Sequence, residues 1–241
     1  MSLSGLFFKS EYLYEVYKEV GTIYSIFILD EPESTVYEKL IDYALAKSDA
    51  FMLITSRQMT LRQLKETGFK FSLAKQADFE NEMKYKEYLN NFKEFEKEIL
   101  VREQIFEESA EPFLQRLRPY LIKERHKPTE WPSTKFCSDS DSDKTKFDIN
   151  VYKVCKQVRR YLMEPNGLFH WIYPYFPEDL CFFKDGYCWL STSAHERDAE
   201  IYTNNEDEVQ VLKNLGLKFK YKEQDIKMFH EEYHTERFRV L

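Results

Sequence analysis

The chain has 241 residues, 43% hydrophobic and 32% charged, with a net charge of −7. That length can close a core without metal or disulfide support, and the acidic balance excludes a general phosphate-backbone binder, which needs a clustered basic face, so no nucleic acid is expected as partner. Nowhere do about 18 apolar residues run together, so no membrane span is expected, and Cys137, Cys155, Cys181 and Cys188 lack C-x-x-C spacing and read as reduced thiols of a cytoplasmic protein.

In chain order, residues 6–20 (LFFKSEYLYEVYKEV) read as a short helix ended by Gly21, and Thr22 to Leu29 (TIYSIFIL) as a buried β-branched and aromatic strand. Asp30-Glu31-Pro32 opens a helix in which Val36, Tyr37, Leu40, Ile41, Ala44 and Leu45 fall on one face to about Lys47. Ala50 to Thr55 (AFMLIT) is a second strand, and strand, helix, strand in this order fits a parallel crossover unit. A short helix is expected over Thr60 to Thr67, with Gly68 closing it.

From Asp78 the pattern becomes a long charged helix with Phe79, Met83, Tyr88, Phe92, Phe95 and Ile99 as its apolar stripe. Ser109 and Pro112 cap and open another helix carrying Phe113, Leu114, Leu117, Tyr120 and Leu121, bent at Pro119; the two are expected to pack as an antiparallel pair. Trp131-Pro132 starts a connector, Ser138 to Lys144 (SDSDSDK) is a polar loop, Lys146 to Tyr152 a strand, and Cys155 to Met163 a helix ended by Pro165-Asn166-Gly167.

Glu164 to Glu196 is the stretch the rest is organised around, with two of the three tryptophans, Trp171 and Trp189, and three of the eight prolines. Asp185-Gly186 between two aromatic runs is a two-residue hairpin signal, because both turn positions tolerate positive φ, and it sets strands at about 180–184 and 187–194. Before it, Tyr173-Pro174-Tyr175-Phe176-Pro177 is a stiff aromatic connector that cannot be helical. Ala199 to Tyr202 is a further strand, Asn204 and Asn205 offer caps to a helix whose first turn is Glu206-Asp207-Glu208 and which Gly216 closes, Leu217 to Tyr221 alternates apolar residues with lysine as an edge strand does, and Gln224 to Glu236 is a last helix. The result is an α+β fold: a mixed sheet with a central hairpin packed against several helices. It forms one domain over 1–241, with lobes at 1–130 and 131–241 that meet near Trp131.

The string Trp171 to Pro177, then Pro177-Glu178-Asp179-Leu180, an aromatic strand, a Gly turn and Ser193-Ala194-His195-Glu196, preceded by Glu130-Trp131-Pro132-Ser133-Thr134, resembles a group of uncharacterised bacterial proteins. Some of that group resemble immunity proteins of toxin systems and some are catalogued as stage III sporulation protein AH-like. The resemblance covers roughly residues 110–200, and its motifs are structural rather than catalytic. It implies a toxin-neutralising interaction protein; the sporulation channel role requires a membrane anchor and is not implied.

Four patterns invite chemistry. His230-Glu231-Glu232-Tyr233-His234 satisfies H-E-x-x-H, which on a helix offers His230 and His234 to zinc with a glutamate as base. That makes a zinc-dependent hydrolase the second reading, but the seven residues beyond contain no third ligand at the required spacing. Asp139, Asp141 and Asp143 imitate half a calcium loop, yet Lys144 stands where the turn glycine belongs and Asn150 where the bidentate glutamate does. His195-Glu196 near Glu178 or Asp179 has the makings of a base and its orienting acid, with no nucleophile at recognisable spacing. The six glycines, at 5, 21, 68, 167, 186 and 216, build no phosphate loop. The leading expectation is therefore a non-enzymatic protein with no cofactor. It binds a basic protein partner through Trp171, Tyr173, Glu178, Asp179, His195 and Glu196, where rigid aromatics beside acids combine contact area with charge complementarity.

Overall fold

A computed structural model describes residues 22–56, 61–66, 73–126, 131–132 and 147–225. The helix expected at 6–20, Gly68, Cys137, the Asp139, Asp141 and Asp143 loop, and His230 and His234 lie outside the described residues. The strands are β1 Thr22–Ile28, β2 Ala50–Ser56, β3 Leu121–His126, β4 Phe147–Lys153, β5 Glu178–Lys184, β6 Tyr187–Ser193, β7 Asp198–Thr203 and β8 Phe219–Asp225. The helices are α1 Ser34–Lys47, α2 Leu61–Glu66, α3 Glu82–Glu108, α4 Ala110–Leu117, α5 Arg159–Leu162 and α6 Glu206–Leu215.

The eight strands form one open sheet in the order β3-β4-β2-β5-β6-β7-β1-β8. Every pairing is antiparallel, which corrects the expectation of a mixed sheet with a parallel crossover. β1 and β2 are not neighbours: β1 lies between β7 and β8, and β2 between β4 and β5. Their apolar patterns call for strands but carry no information about which strand each one joins. The sheet also takes strands from both sides of Trp131, so the halves expected as lobes interleave within it.

Alternation along the strands builds two cores. Phe51, Leu53, Leu180, Phe182 and Leu190 face the larger cluster, to which α1 adds Tyr37, Leu40 and Ile41, α4 Phe113 and Leu117, α5 Leu162 and α6 Val209 and Leu212. The intervening residues, Ala50, Met52, Ile54, Cys181, Phe183 and Cys188, meet Ile149, Val151 and Trp131 on the opposite face. Burial on both faces explains why these strands read as continuous apolar runs. Asp185 and Gly186, with φ of 50° and 81°, make the two-residue turn between β5 and β6.

β3 corrects the expectation that Leu121 closes a helix. Pro119 instead sits in a 3-10 turn over Arg118–Tyr120 that ends α4, and the chain then pairs with β4. Nor do α3 and α4 form an antiparallel pair. Only Ser109 separates them, and reversing a helical chain takes a loop of roughly 2–5 residues. α3 runs 27 residues without one fully buried side chain, whereas the short α4 buries Ala110, Phe113 and Leu117. Gln224 and Asp225 belong to β8, not to a last helix.

Candidate functional site at the Asp179 end of the sheet

β5 begins and β6 ends at one edge of the molecule, and Asp179 ties the two together. Its backbone is left-handed, φ 54°, a conformation that aspartate tolerates better than most residues. With 1% of its surface exposed, the carboxylate accepts the Trp131 indole N–H at 3.1 Å on one oxygen and the Ala194 amide at 3.0 Å on the other. The Cys181 thiol donates to its carbonyl at 3.4 Å. Burial raises the Asp179 pKa above the usual aspartate range, and the Ala194 and Trp131 hydrogen bonds offset part of that rise. Three segments far apart in the sequence, at Trp131, Pro177-Glu178-Asp179-Leu180 and Ser193-Ala194-His195-Glu196, thus meet at one carboxylate.

Ala194–Glu196 forms a 3-10 turn that closes at Arg197, itself left-handed at φ 55°. The turn lifts His195 and Glu196 into solvent, their side chains 58% and 65% exposed, with Nε2 and Oε1 3.8 Å apart. Arg197 reaches the buried Glu31 carboxylate at 3.7 Å, and Glu31 also accepts the Phe169 amide at 2.7 Å. Glu178 is half-buried. Burial first, and the Asp179 charge second, raise its pKa, while His195, a Tyr173 backbone hydrogen bond and Arg102 lower it. Tyr173 stands in the connector that precedes β5, its peptide bond to Pro174 cis. Its ring packs against Phe106 at 5.4 Å and under the Arg102 guanidinium at 5.3 Å, and burial with Glu103 nearby raises its pKa.

Five of the six expected residues therefore gather at this end. Trp171 does not present itself to a partner. It has no exposed surface, donates its indole N–H to the Tyr37 hydroxyl at 3.0 Å, and meets Phe113 edge-on at 5.7 Å; the Tyr37 hydroxyl donates on to the Leu162 carbonyl at 2.5 Å. An aromatic string alone cannot tell a core ring from a surface ring, and this one is core. Nor does Asp179 orient His195 as a catalytic acid would, since its two oxygens hold Trp131 and Ala194. Sequence reading passed over Arg102, Glu103 and Phe106 as site residues, because only the fold brings α3 beside Tyr173.

A second cluster lies at the β3 edge of the same sheet end. His126 pairs across the strands with Asp148 and Glu124 with Asn150. His126 Nδ1 is 3.0 Å from Asp148 Oδ1 and 3.9 Å from Glu124 Oε1. Asn150 donates to the Thr55 hydroxyl at 2.9 Å. Glu124, His126 and Asp148 are the group among the described residues whose donor atoms converge as metal ligands would. No helix among the described residues is long and apolar enough to cross a membrane. No protein-family model, curated protein or solved structure matches the chain.

Proposed function

We propose that the chain is a cytoplasmic, non-enzymatic protein that binds a basic protein partner through the surface at the Asp179 end of the sheet. The toxin-neutralising role implied by the resemblance to immunity-type proteins is its specific form. The observation that carries this reading is the buried Asp179, which accepts the Ala194 amide of the turn that displays His195 and Glu196 and is itself held by the Trp131 indole. A surface held rigid before binding loses little entropy on association. Tyr175, 54% exposed on the neighbouring connector, adds an aromatic ring, and Tyr173 with Glu178 borders it on the inner side. The hairpin of β5 and β6 is then the central element of the sheet, its Asp179 end given to recognition and its Asp185-Gly186 end to folding. Trp171 contributes by supporting the connector from beneath.

Glu196→Lys combined with Tyr175→Ala tests the reading, with the fold followed by circular dichroism. The partner captured by the wild-type chain from a lysate of the source cells is expected to bind the double variant at least tenfold more weakly, with a shallower salt dependence. A folded double variant that captures the same partner with unchanged salt dependence would overturn it.

A further inference from the structure

We propose that Glu124, His126 and Asp148 form a site for a divalent first-row transition ion, with zinc as the natural probe. Residues two apart on a strand face the same way, so Glu124 and His126 stand side by side on β3 and look across to β4, where His126 is paired with Asp148. Donor atoms at about 2.1 Å from one ion lie about 3.0 Å apart at right angles and about 3.4 Å apart in the tetrahedral arrangement that zinc prefers. His126 Nδ1 and Asp148 Oδ1 are separated by 3.0 Å. Glu124 Oε1 is 3.9 Å from the same nitrogen, and all three donor atoms fall within 4.8 Å of one another. A small rotation of Glu124, whose side chain is 43% exposed, closes the remaining distance.

The chemistry points to the ion class. One imidazole nitrogen with two carboxylate oxygens is a mixed set that suits zinc or manganese, whereas magnesium and calcium favour oxygen alone. Two carboxylates on one imidazole repel each other, and a dication turns that repulsion into attraction. Asp148 gives the site a rigid floor, its side chain 11% exposed, while the 52% exposure of His126 leaves room for water in the open coordination positions. On an edge strand the ion would bind β3 to β4 at its outer end.

The test is equilibrium dialysis of zinc against the full-length, tag-free chain carrying His230→Ala and His234→Ala, so that the H-E-x-x-H motif contributes nothing. About one zinc per chain is expected. His126→Ala and, separately, Asp148→Asn should each weaken binding at least tenfold, and excess magnesium should not displace the zinc. His126 is exposed enough for its alanine variant to fold, which circular dichroism checks, so the result stands even if the Asp148 variant is unstable. Zinc below one-tenth per chain in the parent, or unchanged zinc in the folded His126→Ala variant, would overturn the site.

Discussion

Two tryptophans of this chain each donate an indole N–H to a buried carboxylate, and the two carboxylates are served differently. Glu208, at the start of α6 and 2% exposed, accepts Trp189 Nε1 at 3.0 Å, the Tyr43 hydroxyl at 2.9 Å and the Thr203 hydroxyl at 2.5 Å, and pairs with Lys47 Nζ at 3.2 Å. Asp179 has Trp131 and the Ala194 amide and, among the described residues, no ion-pairing cation. The Glu208 centre joins α1, α6 and the sheet as a mutually compensated network. The Asp179 centre holds a carboxylate whose charged form is costly, and it does so where surface residues are displayed. A buried charge that is fully paired fastens a core; one held by hydrogen bonds alone fixes a loop at some cost in stability.

The largest effect expected from separating the two centres is at Glu208. Glu208→Ala strands three donors and the Lys47 charge, and should cost about 3 kcal/mol of unfolding free energy in urea titration. Asp179→Ala strands two N–H groups and should cost about 2 kcal/mol at pH 4. It should cost less at pH 7, because it also removes a carboxylate that is expensive to ionise. The sign follows from linkage. The folded state holds the Asp179 proton more tightly than the unfolded chain does, so that stabilisation is complete below the ordinary aspartate value of about 3.9 and is lost as pH rises through the raised folded value. A wild-type minus variant difference that stays flat between pH 4 and 7 would erase the contrast between the centres.

Gly186→Val, at the far end of the same hairpin, should cost about 1–2 kcal/mol from its positive φ, since a Cβ there meets no atom within 4 Å. A melting temperature equal to wild type would refute the turn's demand for glycine. The smallest change in stability belongs to Glu196→Lys, which should leave the urea midpoint within about 0.5 kcal/mol of wild type while weakening capture of the partner. A large loss of stability there would show that the displayed turn is itself part of the core.

Most strands and helices were legible from the sequence because each writes its own period. β2, β5 and β6 carry apolar residues on both faces, α6 begins with Asn205 accepting the Asp207 amide at 3.0 Å and ends at Gly216 with φ 94°, and Asp185-Gly186 marks its turn. β3 was not legible, since LIKERH is largely exposed and becomes a strand only because β4 offers it an unpaired edge. The partners of β1 were hidden because its apolar pattern calls for a strand without naming the neighbours, β7 and β8, that it joins. At the candidate site, Glu178, Asp179, His195 and Glu196 were found through their motif, but the division of labour between them was not. Which acid is buried depends on Trp131, 48 residues away, and Trp171 lost its place at the surface to Tyr37, 134 residues away. Glu124, His126 and Asp148 come together only through strand register.

The position of β1 bears on synthesis. Thr22–Ile28 is the first described strand to leave the ribosome, yet both of its neighbours, β7 and β8, lie in residues 198–225. At roughly 5–20 residues per second, Ile23 and Ile26 wait on the order of 10–40 s for their partners. During that time they are an unpaired apolar segment available to chaperones, and closing the sheet is deferred until the carboxy-terminal strands have been translated.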